Sequence, residues 1–515
     1  MKNFIHSGIA GLVAVGLAAC VADTSWDQGT EEEGLTDSVS QAEVTACPGF
    51  AAQIPNVKYD KELVITNPAV VDDPCRTIMD NPLCTDPNKT QINGKWSFWY
   101  LMSQMAGSNN VSRFVLKWLE SFEADDIVVN GQTLQARTPI RSLIIDPWRQ
   151  KSGCAIGLKY DQFGGACNLN PKLAPFRLLG IFNRVDLRSG GAGSVDPYGN
   201  IVSGGDAGEG RFVFGFTQVP NSVDSVANAT QLPDATMIFE YKLPTNNRTA
   251  QQWALAWRAL GNFTTFDAGY KNALQTITEG FVKNGLVAGN PNNGSSIAQV
   301  RSDEKTFHPP PAIASQKVWS MREFKLGCLP GQTCGTNDRF LVNTTTGQTP
   351  PHDSVWDPIN VTNQTTTLDA FLTENQTSII NGTHVVPAMY NGVHFLAGDS
   401  RSRSGINAIQ WNRTNDMSYM DPNVCTARRL FAFSTCSGCH YFETDNTVSN
   451  LHIRNRDTGV PSELSPFLSQ SPRVVTSDPC EVSVSYDEPK RRKCELLALA
   501  AGKSTPVNKH TGRTH

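Results

Sequence analysis

The segment that most constrains this chain lies near its C-terminal end, where Cys436 and Cys439 are followed directly by His440. Two thiols three positions apart can form thioether bonds to the two vinyl groups of a haem, and the next imidazole can then reach the iron. Haem of this c type is attached outside the cytoplasm. The motif therefore predicts covalent haem c on Cys436 and Cys439, ligated by His440, provided that the chain is exported.

The first twenty residues have the pattern of an export signal. Lys2 precedes an apolar stretch from Ile9 to Ala19 that is too short to span a membrane. The stretch ends in Leu-Ala-Ala-Cys20, which resembles the lipobox of bacterial lipoproteins and implies that Cys20 carries lipid. An ordinary signal peptide with an incidental cysteine is the alternative. The resemblance places the chain in the cell envelope, anchored in a membrane by its lipid, and Val21 fits outer-membrane sorting.

Composition divides the remaining chain into three parts. Residues 21–46 are acidic and polar with little to bury, which predicts a flexible tether. Residues 47–400 mix strand and helix patterns and are expected to form an α/β body for binding or interaction, and residues 401–515 a small, mainly helical domain. The fold class is thus α+β. The net charge of −4 without a basic block argues against a nucleic-acid partner.

The cysteine count agrees with an oxidising compartment. Of thirteen cysteines, removing Cys20, Cys436 and Cys439 leaves ten (13 − 3 = 10), an even number. Proximity in the sequence suggests the pairs Cys75–Cys84, Cys154–Cys167, Cys328–Cys334 and Cys480–Cys494. Cys47 and Cys425 would then bridge the two ends of the body. Sequence alone does not fix this connectivity.

Hydrophobic patterns predict several strands and helices. Strands are expected at 62–66, 134–145, 176–187, 211–219, 236–243 and 318–326. Helices are expected after caps at Ser112, Thr249 and Asp267, at 427–433 before the Cys436 motif, after Ser465, and at 494–501. The aromatic stripes of these helices indicate core packing rather than a cofactor site.

The C-terminal part, with its short helices and one C-x-x-C-H motif, resembles a cytochrome c domain. The resemblance has two departures: Ala432 and Arg428 stand where the family usually carries an aromatic residue and a glycine, and no methionine follows Met420 to serve as distal ligand. His452, twelve residues after His440, is the predicted distal ligand, and bis-His ligation favours a low potential. Arg454 and Arg456 are candidates to pair the haem propionates. A His452 held only by local hydrogen bonds is the alternative, as are the ligands Met389, Met417 and Met420.

Several segments also resemble a group of large secreted proteins and lipoproteins of myxobacterial type. They are Phe176-Arg-Leu-Leu179, Asn183-Arg-Val-Asp-Leu-Arg188, Gly208-Glu-Gly-Arg-Phe-Val-Phe214, and the Cys436 motif with its Arg428, Glu443 and His452 surroundings. This resemblance spans much of the mature chain. It implies a shared architecture and not an activity.

Other chemistries remain open for the same residues. Cys425, Cys436, Cys439 and His440 or His452 would make a zinc site, although a second C-x-x-C pair is missing. A thioredoxin-like dithiol and a plain disulfide are further alternatives. The hydrolase motifs Gly-x-Ser-x-Gly and His-Glu-x-x-His do not occur, and the charged residues Arg184, Asp186, Glu209 and Arg211 favour a structural ion-pair network over catalysis.

The sequence thus predicts an exported lipoprotein with covalent haem c that carries single electrons to a redox partner protein in the cell envelope. The competing class is a non-enzymatic envelope binding protein whose Cys436 motif is a disulfide or zinc site. No pattern assigns an enzymatic activity to the chain.

Overall fold

The computed structural model describes residues 47, 49–81, 84, 93–162, 167–188, 207–307, 318–346, 366–403, 422–444, 446, 450–475 and 484–503. Two compact units divide the chain at residue 40, and all described residues belong to the second, Ser40–His515. The predicted signal peptide, tether and lipidation site at Cys20 lie outside the described residues, as do Met417, Met420 and Cys480. Within the described ranges, no helix has the length and apolar character needed to cross a membrane.

The strands are numbered in chain order. They are β1 (Val64–Ile65), β2 (Val128–Val129), β3 (Gln132–Thr133), β4 (Phe176–Arg184), β5 (Glu209–Thr217), β6 (Gln231–Lys242), β7 (Ile297–Glu304), β8 (Val318–Gly327), β9 (Phe340–Thr344), β10 (Met389–Tyr390), β11 (Val393–His394), β12 (Ser400–Arg403), β13 (Arg473–Val475) and β14 (Val484–Tyr486).

One antiparallel sheet organises the molecule. Its order is β1-β4-β5-β6-β7-β8-β12, and β9 pairs with β8 beyond the end of β12. The central strands follow one another along the chain, as hairpin-like connections favour. Three short two-stranded pairs, β2-β3, β10-β11 and β13-β14, lie outside this sheet. The fold is therefore mixed α+β, as predicted.

The helices are also numbered in chain order. They are α1 (Tyr59–Glu62), α2 (Pro68–Val71), α3 (Pro74–Thr77), α4 (Phe98–Met105), α5 (Val111–Glu120), α6 (Asp146–Lys151), α7 (Ala250–Ala259), α8 (Ala268–Val282), α9 (Pro291–Gly294), α10 (Thr366–Glu374), α11 (Gln376–Ile380), α12 (Pro422–Phe433), α13 (Cys436–Cys439), α14 (Pro466–Ser469) and α15 (Glu488–Ala500).

The two faces of the sheet bury different kinds of side chain. On one face, Phe214 and Phe239 contact Phe98 of α4, with ring centroids 6.1 and 5.9 Å apart. This face belongs to the main hydrophobic core, which also contains Trp118 of α5. On the opposite face the alternate residues of β5 to β8 include many charged groups, and a small cluster of Trp319, Met321, Cys436 and Leu451 packs there. Period-two alternation thus separates an apolar face from a polar face that receives the Cys436 segment.

Most predicted elements are confirmed, with two corrections. The strand predicted at 134–145 is wrong: Arg141–Ile145 is helical and continues into α6. The buried Ile140 and Ile144 lie four residues apart, which is a helical rather than a strand spacing. Ser112 does not cap α5, because Asn110 accepts the hydrogen bond from the Arg113 N–H. The buried Ser112 hydroxyl instead accepts from the Leu169 N–H.

Disulfides confirm three predicted pairs and correct the rest. Cys75–Cys84, Cys154–Cys167 and Cys328–Cys334 are bonded as expected. Cys47 bonds to Cys494, across 447 residues, instead of to Cys425, so the predicted Cys480–Cys494 pair is also wrong. Cys425 is disulfide-bonded as well. Helix α15 packs against α7, so residues near the C-terminus join the body directly.

Candidate functional site

A single helical turn, α13, carries the two thiols of the C-x-x-C-H motif. It follows α12 after a tight turn in which the Ser434 N–H donates to the Leu430 carbonyl. Thr435 caps α13, since its hydroxyl accepts from the Gly438 N–H at 3.0 Å. A Cβ at position 438 would collide with the Ala432 carbonyl oxygen, so the turn requires glycine between the two cysteines.

Both cysteines of this turn are present as thiols and are fully buried. Cys436 lies in the small cluster on the polar face of the sheet, whereas Cys439 lies in the main core. Burial raises the pKa of Cys436 to about 12 and the pKa of Cys439 well above its ordinary value. A thioredoxin-like dithiol needs an accessible thiol of lowered pKa, so this environment argues against that chemistry.

His440 is held by three neighbours. Its Nδ1 lies 2.7 Å from the Asn450 carbonyl oxygen, and because a carbonyl only accepts, Nδ1 carries the proton and Nε2 the lone pair. The ring stacks on Trp319 with a centroid distance of 4.9 Å and an interplanar angle of 23°. Asp303 Oδ2 lies 3.8 Å from Nδ1. Burial lowers the pKa of His440 to about 4, so the imidazole is neutral near pH 7.

The structure brings His452 into direct contact with this site. Its Nε2 lies 3.5 Å from Cys439 Sγ and its Nδ1 lies 2.7 Å from Ser465 Oγ. The Ser465 N–H also donates to the His452 carbonyl at 2.9 Å, which fixes the two residues together. Burial, and secondarily the neighbouring His440, lower the pKa of His452 well below its ordinary value.

The distance between the two imidazoles bears on the predicted distal ligand. The ring centroids of His440 and His452 are 4.3 Å apart. Two imidazoles that bind one metal ion from opposite sides have centroids about 6 Å apart, because each metal–nitrogen bond is about 2 Å long. Ligation of one iron by both residues therefore requires the rings to separate, and His452 as distal ligand stays a prediction.

The two predicted propionate partners have other partners. Arg454 lies at the surface and pairs with the Glu463 carboxylate at 3.0 Å. Arg456 is buried and donates to both oxygens of Asp72, at 2.9 and 2.7 Å. Both guanidiniums thus serve ion pairs in this structure. Arg456 ties the segment after His452 to the loop before α3.

Two residues of the site were missed from the sequence. Asp303 on β7 and Trp319 on β8 are buried beside His440, more than a hundred positions upstream of it. Burial raises the pKa of Asp303 to about 8. The available signal was the run Arg301-Ser-Asp-Glu304, which places charged residues at buried strand positions. A buried carboxyl group in such a run indicates a specific polar partner.

The motif brings two thiols and an imidazole together at one helical turn. Two thiols on one turn, followed by a neutral imidazole whose Nε2 carries the lone pair, are the groups that c-type haem uses. In the described part of the chain, no three side chains of His, Cys, Asp or Glu are gathered as a metal ion would need.

The predicted charged cluster near the sheet forms two ion-pair networks. Arg184 donates to both oxygens of Asp186, which also pairs with Arg491 of α15 at 2.7 Å. Separately, Arg211 pairs with Glu209 at 2.5 Å and with Glu240 at 3.2 Å. Such mutually paired, buried ions support the structural interpretation made from the sequence.

Acid is expected to destabilise the haem-free wild type more than a variant that lacks the buried His440 imidazole. The unfolded chain binds a proton on His440 below about pH 6.5, whereas the folded state resists protonation until its lowered pKa of about 4. This contribution to stability is complete above pH 6.5 and is lost as pH falls towards 4, amounting to about 3 kcal/mol. Urea unfolding at several pH values between about 7 and about 5 measures how the free energy of unfolding changes with pH.

The matched variants for this pH dependence are His440→Gln and His394→Gln. The first removes one buried imidazole, so its free energy of unfolding should fall less than that of wild type between about pH 7 and about pH 5. The second leaves both site imidazoles in place and should keep the wild-type slope. Equal slopes in wild type and His440→Gln would contradict the expectation.

Comparisons of the chain with protein-family models, with curated proteins and with solved structures found no match.

Proposed function

We propose that this chain is an exported bacterial lipoprotein that carries a c-type haem, joined to Cys436 and Cys439 and ligated by His440, and passes single electrons to a redox partner protein of the cell envelope. One observation carries the proposal. The His440 Nδ1–H donates to the Asn450 carbonyl at 2.7 Å, so the lone pair of Nε2 remains for the iron.

The pattern of disulfides supports the proposal. All other cysteines among the described residues are disulfide-bonded. Cys436 and Cys439 are not joined in a disulfide, although the chain contains several such bonds. Disulfides are typical of exported proteins, and thiols are the form that reacts with haem vinyl groups.

The chain's own residues would control the environment of the haem. A c-type haem bound here supplies a one-electron couple. Asn450 keeps the His440 ring in one tautomer, and burial keeps the imidazole neutral. Because the thiols and both imidazoles are buried, haem attachment would precede the final packing of this segment. His452 would be the second protein ligand of the iron, which would require its ring to lie farther from His440 than it does here.

The cellular part of the proposal depends on the N-terminal pattern. Cys20 would carry the lipid that anchors the protein to a membrane, and we propose that this is the outer membrane. Residues 47–400 would then form the body that contacts the partner. The disulfides of the described chain agree with this oxidising location.

Covalent haem is tested on protein matured in a host that attaches c-type haem. We expect the wild type to give a pyridine haemochrome spectrum and an intact mass increased by one haem. The double variant Cys436→Ala/Cys439→Ala should lose all covalent haem. The control Cys328→Ala/Cys334→Ala removes a surface disulfide and should retain the haem.

In the haem-loaded protein, His452→Ala should convert a low-spin spectrum to high-spin.

A second candidate function is favoured by the packing around His440. Trp319 and His452 contact its ring, and all three side chains are buried. In that case the chain is an envelope binding protein in which α13 only completes the core. A wild-type mass without haem, whether as two thiols or as a disulfide lacking two hydrogens, would support this candidate and overturn the haem proposal.

A further inference from the structure

Asp303 and Trp319 form a hydrogen-bonded pair on the polar face of the sheet. The Trp319 indole N–H donates to Asp303 Oδ1 at 2.5 Å, and both side chains are at most 1% exposed. Strands β7 and β8 are held in register there, with Asp303 opposite Met321 and Glu304 opposite Ser320. The backbone register therefore fixes the carboxyl group and the indole relative to each other.

This pair reaches His440 through two contacts. The indole stacks on the imidazole at 4.9 Å, and the second carboxyl oxygen of Asp303 lies 3.8 Å from Nδ1. The hydrogen bond to the Asn450 carbonyl fixes the position of Nδ1, but one such bond by itself does not fix the tilt of the ring. Stacking against a fixed indole removes that freedom.

The use of a carboxyl group here is unusual for simple packing. Trp319 shares its cluster with Met321, Leu451 and the partly buried Ile238, which are all apolar. Burial at this point disfavours the charged form of the carboxyl group, and a neutral acceptor could satisfy the indole N–H at lower cost. A residue that costs stability at a site indicates a role in the site itself.

We propose that Asp303 and Trp319 are positioning residues for His440: the carboxyl group holds the indole, and the indole sets the plane of the imidazole. The inference rests on the proposed function, in which His440 ligates iron. The plane of an axial imidazole determines how the ligand field splits the iron orbitals, so the pair would set the spectroscopic anisotropy of the haem.

The experiment compares electron paramagnetic resonance spectra of the oxidised, haem-loaded protein. Trp319→Phe keeps an aromatic ring but loses the indole N–H, and Asp303→Ala removes its acceptor. Both should shift the g values. Asp303→Asn keeps an acceptor oxygen and should restore the wild-type spectrum. The control Trp253→Phe removes another buried indole hydrogen bond, to the Pro244 carbonyl, and should leave the spectrum unchanged.

Two outcomes would overturn the inference. In the first, Trp319→Phe and Asp303→Ala give the same g values as wild type and Trp253→Phe. In the second, Asp303→Asn is as altered as Asp303→Ala, which would show that the hydrogen bond is not the means of positioning.

A haem-free arm separates this inference from the proposed function. If the wild type takes up no haem, the same variants are labelled with ¹⁵N-histidine, and His440→Gln assigns the His440 resonances. Trp319→Phe and Asp303→Ala should then shift the His440 ring nitrogens, with rescue by Asp303→Asn. Unchanged resonances would contradict the positioning role, whereas missing haem alone contradicts only the proposed function.

Discussion

Replacing Glu488 with alanine is expected to lower the free energy of unfolding by about 3–5 kcal/mol, the usual effect of removing one partner from a buried ion pair. Glu488 begins helix α15 and is 3% exposed. Its carboxylate accepts from Arg491 through both oxygens at 2.7 Å, and from Arg492 Nε at 2.6 Å. The variant would leave two buried guanidiniums without this carboxylate.

The electrostatics of this cluster explain the size of the effect. Burial by itself raises the pKa of Glu488, but the guanidiniums of Arg491 and Arg492 outweigh it and lower the pKa to about 2. The cluster contains three guanidiniums, since Arg184 joins it through Asp186. Without Glu488, Arg491 and Arg492 would lose the carboxylate that they share, and an uncompensated buried charge is costly.

Urea unfolding near neutral pH measures this effect. Glu488→Gln keeps the size and one acceptor oxygen and should lose less stability than Glu488→Ala. The matched control is Glu463→Ala, which breaks the exposed pair with Arg454 and should cost less than about 1 kcal/mol. Similar losses in Glu463→Ala and Glu488→Ala would contradict a special role for the buried cluster.

Removal of the Cys47–Cys494 disulfide is expected to be the most destabilising change among the cysteines. The bond spans 447 residues, so it restricts the unfolded chain more than any short loop does. Loop-closure entropy predicts a loss of about 6 kcal/mol for Cys47→Ala/Cys494→Ala. The same estimate gives about 2 kcal/mol for Cys328→Ala/Cys334→Ala, whose cysteines are six residues apart.

Both double variants are compared with wild type by urea unfolding without reductant. The larger loss should appear for Cys47→Ala/Cys494→Ala, and α15 should then become protease-sensitive because the disulfide anchors it near Phe50. Equal losses for the two disulfides would argue against the loop-length explanation. A smaller loss for the long loop would overturn it.

Features set by neighbouring residues were predictable from the sequence. Thr249 and Asp267 cap α7 and α8 through local hydrogen bonds, and the apolar run from Phe176 forms the buried strand β4. The three disulfides between nearby cysteines follow the same rule, because a short loop keeps the two thiols close in almost any fold. The helical spacing of Ile140 and Ile144 was also present in the sequence, but β-branched residues obscured it.

Features set by distant residues were not predictable. The sequence indicated the two thiols of the Cys436 motif and the nearby His452, because they lie within seventeen positions of one another. It did not indicate Asp303 and Trp319, which reach His440 only because β7 and β8 pair and present these side chains on the polar face of the sheet. Nor did it indicate that Arg456 would pair with Asp72.

The sequence by itself determined the local chemistry of this protein: two cysteines and a histidine within five consecutive residues. The tertiary structure decided what surrounds them, namely two buried imidazoles in contact, an indole held by a carboxyl group, and a C-terminal helix fastened to the start of the body. The physical reason is that spacing along the chain fixes which groups share a turn, whereas sheet register and core packing fix which distant groups meet.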